Sequence, residues 1–305
     1  MKNATCDFEL RSMTKYIRIE VSIMNKPKVQ IVIPVYNSAK YLRRCLDSLL
    51  EQTYPYWEAI MVNDASKDNS IEIMKEYQEK DDRIVIYSFE ENQGVSKVRN
   101  FALAKLSEKY TAFLDSDDFW EKDMLEVMVE KAVSENADVV QCRYFYDYTG
   151  GRQVLPKGVF KEDTAIDKNH IKKIYYKMST GINMNHVCMK LIRTELIKDI
   201  RFDSTLKTAE DLKFCTELFC KVESYYFINR AFYHYCRNEE SLTGKGLGGK
   251  EKLKANRRVS KDMIKAVKKL GIGTPLLKIL CVLRPYTIIV SKILRMVKEK
   301  LFSKK

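Results

Sequence analysis

The sequence has little of what a zinc site or a disulfide framework requires. Its eight cysteines are scattered over 305 residues without a C-x-x-C pair, and it has only three histidines. Free, reduced thiols are therefore expected. Residues 1–27 contain no long apolar run, which argues against a signal peptide or a membrane-spanning helix there. No internal repeat or low-complexity segment is visible.

Net positive charge is absent from most of the chain, although the formal total is +13. Residues 245–305 contain 18 Lys and Arg against three acids, whereas the preceding residues carry 36 basic and 38 acidic side chains. The basic residues of this tail stand beside long aliphatics, with few aromatics between them. This distribution argues against a nucleic-acid-binding protein.

Short apolar runs alternate with helical patterns in the first half of the chain. The runs are Val29–Val35, Glu58–Val62, Ile84–Tyr87 and Thr111–Leu114. Their alternation with helices predicts right-handed βαβ units and an α/β fold with a mostly parallel, Rossmann-like sheet covered by helices. Composition agrees, since 45% hydrophobic and 11% aromatic residues are typical of a globular protein.

Polar residues stand at the carboxyl ends of these predicted strands. Asn37, Asp64, Gly94 and Asp115 each lie at or just past such an end. Open parallel sheets bind ligands outside the carboxyl ends of their strands, so these residues are predicted to share one edge.

Asp115 and Asp117 form the most informative pair. Two carboxylates one residue apart can hold Mg²⁺ or Mn²⁺, which complete their shells with phosphate oxygens and water. The neighbouring Asp118 has a structural interpretation instead. With Glu121 it spells D-x-x-E before an apolar-periodic stretch, which predicts an N-terminal capping box.

The ordered motifs IVIPVYN, VNDASKD, NQGVSKVRN, FLDSDD, MKLIR and AEDLKF resemble those of the family 2 inverting glycosyltransferases with the GT-A fold. The resemblance runs from about Val29 to about Thr243. It implies a UDP-sugar site lined by Pro34, Val35, Tyr36, Asp64, Asn92, Gly94, Arg99, Asp115 and Arg237. It also implies that Asp64 bonds the uracil ring, that Asp115, Asp117 and His234 face the metal, and that Asp211 is the general base.

Each of these assignments has a structural alternative. Asp64 could open an Asx turn, and Arg99 could be a solvated surface charge. Asp211 could merely complement a helix dipole. His234 could be a satisfied structural histidine.

Residues 28–243 are predicted to form the catalytic domain, with a nucleotide-binding half at 28–118 and an acceptor half at 119–243. Residues 1–27 would be an arm that could be disordered. Residues 244–305 would be a basic, amphipathic helical tail. The tail either lies on a membrane surface or packs back on the catalytic domain.

The expected function is a metal-dependent transfer of one sugar from a UDP-sugar to a glycan or lipid-linked glycan, with Mn²⁺ or Mg²⁺ as cofactor. The chain lacks the Q-x-x-R-W motif of the family's processive synthases, which favours a single addition. A cytoplasmic location, peripheral on the inner membrane face, follows from this interpretation. Two alternatives are a sugar-nucleotide-forming nucleotidyltransferase, whose Gly- and Arg-rich phosphate loop is missing after the first strand, and a nucleic-acid-binding protein.

Overall fold

The computed structural model describes residues 26–181, 183–237 and 249–286. Nearly all of the predicted arm at residues 1–27, and the part of the tail beyond residue 286, lie outside these ranges. The described strands form a ten-stranded mixed sheet, which confirms the predicted α/β class. The seven described cysteines are free thiols, as expected from their spacing.

The first half has the predicted alternation. Strands β1 (Val29–Val35), β2 (Trp57–Asn63), β3 (Ile84–Ser88) and β4 (Tyr110–Phe113) alternate with helices α1 (Ala39–Leu50), α2 (Ser70–Lys80) and α3 (Val95–Leu103). β1 pairs in parallel with β2 and β4, and β2 pairs in parallel with β3. All of β1 except Pro34 is buried. A strand buried on both faces needs a nearly continuous apolar run, which is what this segment has.

The second half is more irregular. It contains β5 (Phe119–Trp120), α4 (Met124–Ser134), β6 (Val139–Tyr148), β7 (Gln153–Val154), β8 (Thr164–Asp167), α5 (Lys172–Ser179), β9 (Lys190–Arg193), α6 (Glu210–Leu218) and β10 (Ser224–Arg237). Short 3-10 turns cover Lys168–His170 and Thr194–Ile197. β10 pairs in parallel with β6, and β5 and β8 pair with β10 in antiparallel fashion.

β9 joins the two halves of the sheet. The strand order is β3-β2-β1-β4-β9-β6-β10-β5, and β9 is antiparallel to both β4 and β6. An antiparallel strand begins at the edge where its parallel neighbours end. The residues just before β9 are therefore delivered to the same edge as the residues that follow β1, β2 and β4.

The predicted capping box at Asp118 and Glu121 is wrong. Helix α4 begins only at Met124, after Asp123. Asp118 is buried, and its carboxylate accepts hydrogen bonds from the Tyr233 hydroxyl (2.6 Å) and the Cys236 backbone N–H (2.7 Å). Tertiary partners on β10 thus replace the local partner that the sequence pattern suggested.

The start of the basic tail packs on the rest of the chain. Helix α7 (Gly249–Lys269) lies against α6 and α5, and residues 275–286 form a further helix, α8. Arg284 on α8 is buried and donates to the Met178 carbonyl (2.9 Å) and to Asn256 Oδ1 (2.7 Å). None of the helices within the described ranges is long and apolar enough to cross a membrane.

Candidate active site

The loops that follow β1 and β2 hold each other in place. Asn37 has a positive φ of 49°, a conformation that asparagine tolerates better than most residues. Its side-chain oxygen accepts from the Lys67 backbone (2.7 Å), and Asp68 accepts from the Ala39 backbone (3.0 Å) at the start of α1. The strand ends therefore form one cross-linked surface.

Asp64 anchors the start of α3. One carboxylate oxygen accepts from the Gln93 backbone (2.7 Å) and the other from Gly94 (2.9 Å), and Asp64 is only 3% exposed. The turn that follows β2 is capped by Asn63 rather than by Asp64, because Asn63 Oδ1 accepts from the Ser66 backbone (3.1 Å). A contact between Asp64 and a uracil ring stays a prediction.

Gly94 is required for its backbone conformation rather than for space. Its φ is 83° and its ψ is 154°, a region that residues with a Cβ rarely adopt. A Cβ added there would meet no atom within 4 Å. Asn92 lies beside this turn, and its side chain donates to the Asp64 carbonyl (3.3 Å).

The residues expected to line the base pocket differ in exposure. Tyr36 is 47% exposed and Pro34 is partly exposed at the sheet edge. Val35 is fully buried, and its carbonyl accepts from the Asp64 backbone (2.8 Å). The Val35 side chain is thus part of the core and does not line an open pocket.

Arg99 is the centre of the site. Its guanidinium donates through Nη1 to Asp211 Oδ1 and through Nη2 to Asp115 Oδ1, both at 2.8 Å. Arg99 is 3% exposed and lies over the ring of Phe202 at 5.2 Å. Burial alone lowers the pKa of Arg99, but the two carboxylates outweigh it and raise the pKa well above its usual value. The solvated-charge alternative for Arg99 is therefore wrong.

Sequence reasoning missed the segment just before β9. The Val187 backbone donates to Asp211 Oδ2 (3.3 Å), and the Cys188 thiol donates to Asp115 Oδ2 (3.3 Å). Lys190 is fully buried, and its ammonium donates to the carbonyls of Met184 and His186 in the same segment. A lysine inside the apolar stretch CMKLI was the available signal, because a buried ammonium needs acceptors close by.

Asp115 and Asp117 suit a hard divalent cation that also binds phosphate and water. The Asp115 side chain is 30% exposed, and Asp117 is also partly exposed. Burial and the charges of Asp117 and Asp115 raise the pKa of neighbouring Asp118 well above its usual value, which reports a negative field at this strand end. Within the described ranges, no group of three or more His, Cys, Asp or Glu residues is arranged as a metal cage.

His234 has its ring nitrogens engaged by carboxylates. Nδ1 lies 2.7 Å from Asp147 Oδ2, and Nε2 lies 2.9 Å from Glu121 Oε1. The ring is stacked between Phe119 (4.0 Å) and Phe145 (5.0 Å). The structure favours the satisfied structural histidine over the proposed metal ligand. Arg237, the other β10 residue of the predicted site, lies over the Tyr146 ring at 4.6 Å rather than beside Arg99.

A family model described as "Glycosyl transferase family 2" matches residues 30–201. Glycosyltransferase GlyA of Streptococcus pneumoniae is 34% identical over 227 residues, which are 71% of this chain and 31% of GlyA. Glycosyltransferase EpsJ of Bacillus subtilis is 29% identical over 71% of this chain and 63% of its own length. The chain thus spans less than two thirds of either relative.

A solved structure of S. aureus TarS, residues 1–349 in complex with UDP-GlcNAc, is also similar to this chain. It is 26% identical, with a TM-score of 0.66, and the match covers 77% of this chain and 66% of the TarS chain.

Glu210, beside Asp211 at the start of α6, should make stability depend on pH. Burial and the charge of Asp211 raise the pKa of Glu210 to about 7 from an ordinary 4.5. A carboxyl group whose pKa is raised in the folded state favours folding below its unfolded pKa, and this contribution is lost as pH rises through the folded pKa. We expect wild type to lose up to about 3 kcal/mol of unfolding free energy between pH 4.5 and pH 8 through this group.

Urea denaturation at pH 5 and pH 8 measures the effect. Glu210→Gln should reduce the pH dependence by the part that this group contributes, while Asp118, whose pKa is also raised, keeps its own part. Glu72→Gln, at an exposed first-turn position of α2, serves as the matched control and should leave the pH dependence unchanged. Equal pH dependence in wild type and Glu210→Gln would contradict the assignment.

Proposed function

Because the chain belongs to glycosyl transferase family 2, we propose that it transfers a single sugar from a nucleoside diphosphate sugar to a hydroxyl group of a glycan or lipid-linked glycan. One observation carries the proposal. The carboxylates of Asp115, just after β4, and of Asp211, at the start of α6, each accept from a different nitrogen of the buried Arg99 guanidinium. The carboxylate that would bind the metal and the carboxylate that would deprotonate the acceptor therefore lie on either side of one arginine side chain.

A UDP-linked donor is the best-supported choice. The similar TarS protein has been solved with UDP-GlcNAc bound. In this chain the carboxyl ends of β1, β2 and β4 provide the edge at which a parallel sheet binds such a ligand. Tyr36 and Pro34 would face the base there. No feature of the site favours a nucleotidyltransferase or a nucleic-acid-binding protein.

Asp211 would act on the acceptor. Its Oδ1 is held by Arg99 and its Oδ2 accepts from the Val187 backbone at a longer 3.3 Å, so the second oxygen is the one that can receive a proton from an incoming hydroxyl. The side chain is 18% exposed, which allows a substrate to reach it. Fixing the carboxylate at both ends would set its direction towards the donor sugar.

Asp115 and Asp117 would hold a divalent cation, Mn²⁺ or Mg²⁺. When bound, the ion supplies Lewis-acid neutralisation of the diphosphate leaving group. Arg99 would stay beside Asp115 and add a fixed positive charge near the same phosphates.

Replacing the proposed base should separate catalysis from binding. We expect Asp211→Asn to lower kcat by about 10² to 10⁴ because the proton acceptor is lost. UDP-sugar affinity should stay near wild type. Glu217→Gln, on the same helix, is the control and should keep its activity. Turnover of Asp211→Asn within a few-fold of wild type, at an equal folded fraction by circular dichroism, would rule out the base assignment.

Removing the metal should abolish transfer. We expect activity to vanish in excess chelator and to return with Mn²⁺ or Mg²⁺, because the diphosphate would otherwise leave without charge neutralisation. Asp117→Asn should lose turnover and keep its fold, whereas Asp123→Asn, at a partly exposed acid that pairs with Arg230, should remain active. Full activity of wild type in excess chelator would exclude a metal-dependent mechanism.

Attachment to an anionic membrane surface is a second part of the proposal. Helix α8 exposes a stripe of apolar side chains although its opposite face is buried: Leu276, Ile279, Val282, Leu283 and Tyr286 are 41–59% exposed. Lys250, Lys254, Arg257 and Lys261 of α7 line a basic groove, and Arg257 donates to the Tyr286 hydroxyl (2.6 Å). Apolar and basic groups on one surface are typical of helices that lie in a lipid interface.

Changing the stripe without touching the buried face tests membrane attachment. The double variant Ile279→Glu/Val282→Glu should sediment less with phosphatidylglycerol vesicles than wild type, because it loses apolar contact and adds negative charge. Val133→Glu, at a 45% exposed site on α4, is the matched control. Equal sedimentation of wild type and the double variant would contradict the proposal, as would equal binding of wild type to neutral phosphatidylcholine vesicles.

A further inference from the structure

One face of the β6/β10 pair carries a row of tyrosines. The parallel register places Tyr144 beside Tyr233, Tyr146 beside Tyr235, and Tyr148 beside Arg237. Alternate residues of a strand share a face, so these six side chains lie on the same side of the sheet. We call Tyr144, Tyr146, Tyr148 and Tyr235 the tyrosine strip.

The rings of the strip contact one another and become more exposed towards the sheet edge. The Tyr144 hydroxyl donates to that of Tyr146 (2.9 Å), and their ring centroids are 4.9 Å apart. Tyr146 lies 5.7 Å from Tyr235 and 6.3 Å from Tyr148. Tyr144 is buried, whereas the other three are partly exposed. Apolar ring faces next to hydroxyl groups therefore reach solvent.

The buried end of the strip adjoins the catalytic carboxylates. Tyr233, next to Tyr144 in the register, donates to Asp118, and its hydroxyl lies 3.4 Å from the Asp115 backbone nitrogen. His186 lies between Tyr144 (6.4 Å) and Tyr235 (6.3 Å). The next residue, Val187, bonds Asp211. A ligand on the strip would extend towards the proposed base.

Two arginines lie on the exposed end of the strip. The Arg237 guanidinium is 4.6 Å from the Tyr146 ring centroid and 5.8 Å from that of Tyr235. The Arg152 guanidinium is 5.3 Å from the Tyr148 ring centroid. Arg237 also hydrogen-bonds the Tyr146 side chain, and the remaining N–H groups of a guanidinium stacked on a ring can donate to phosphate or carboxylate.

Sheet order separates the strip from the donor side. The loops that would bind the nucleotide follow β1, β2 and β4, whereas β9 lies between β4 and the β6/β10 pair. The nucleotide and the strip would thus occupy different parts of the same edge. Asp211 would face the acceptor hydroxyl. Its bond to Arg99 connects it to the donor side, and its bond to Val187 connects it to the segment beside the strip.

We propose that the tyrosine strip, with Arg152 and Arg237, is an acceptor subsite that selects glycans carrying an anionic group, either phosphate or carboxylate. The sugar rings would lie on Tyr146, Tyr148 and Tyr235, and the anionic group would bind the two guanidinium groups. This inference rests on the proposed glycosyltransferase function. It moves Arg237 from the expected donor site to the acceptor side.

Saturation-transfer NMR on the full chain saturated with UDP tests the subsite while blocking the donor site. The probes are glucose, glucuronate and glucose 6-phosphate, which share a ring and differ in charge, and inorganic phosphate as competitor. We expect one or both anionic sugars to bind about tenfold more tightly than glucose, because charge-assisted hydrogen bonds are added. Comparison of glucuronate with glucose 6-phosphate then identifies the anionic group.

Single variants test whether the preference for anionic sugars arises at the tyrosine strip and its two arginines. Arg237→Gln and Arg152→Gln should each reduce the preference for the anionic sugar, and Tyr148→Ala should weaken all sugars. Arg230→Gln, at an exposed arginine in the middle of β10 that pairs with Asp123, is the matched control and should behave as wild type.

Three results would overturn the inference. The first is equal binding of glucose and both anionic sugars. The second is competition by inorganic phosphate as strong as that by the phosphorylated sugar, which would indicate an anion site only. The third is a loss of UDP affinity in Arg237→Gln, which would return this residue to the donor site. Failure of wild type to bind UDP or to hydrolyse any UDP-sugar would instead count against the proposed function.

Discussion

The contact of Arg99 with Asp115 and Asp211 is the interaction on which the rest of the site depends. The two acids come from β4 and α6, in different halves of the chain, and each is 2.8 Å from a nitrogen of the same guanidinium. Two carboxylates brought together without a cation would repel, and one would take up a proton. The Arg99 guanidinium supplies that cation and donates to both acids. Removing one partner of such a buried pair is much more costly than the pair is stabilising.

Holding Arg99 in place requires the segment that precedes β9. The Nε of Arg99 is buried and has no partner among the described residues, so the guanidinium depends on its two terminal nitrogens and on Phe202 beneath it. The Val187 N–H and the Cys188 thiol donate to the oxygens of Asp211 and Asp115 that do not face Arg99. The buried Lys190 ammonium donates to the Met184 carbonyl of the same segment. Because β9 is antiparallel to both neighbours, its first residues start at the catalytic edge. An antiparallel strand between two parallel neighbours therefore positions the acids.

Elements whose pattern lies within a few consecutive residues are the ones that the sequence predicts correctly. The apolar runs locate β1, β2 and β4 because a strand buried on both faces needs a nearly continuous apolar sequence. β3 is only partly buried, but its apolar run also stands out. The strand-end rule then places Asp64 and Asp115 at one edge. The Asp118 prediction failed because a capping box and a buried tertiary carboxylate share the same residue types, and only the position of Tyr233 decides between them. The contacts of Val187 could not be predicted, because a backbone N–H has no signature in the sequence.

The run Asp115-Ser116-Asp117-Asp118 would repel itself if all three acids had the same surroundings. The structure gives them different ones. Asp115 faces Arg99, whereas Asp118 turns inward to Tyr233 and Cys236, where burial and the neighbouring acids raise its pKa. The Asp118 carboxylate thus has hydrogen-bond partners that the Asp115 carboxylate does not share. Asp118 also ties the acidic loop to β10, the strand that carries Tyr235 of the tyrosine strip. Because the Tyr233 hydroxyl also lies 3.4 Å from the Asp115 backbone nitrogen, β10 contacts both acids of the loop.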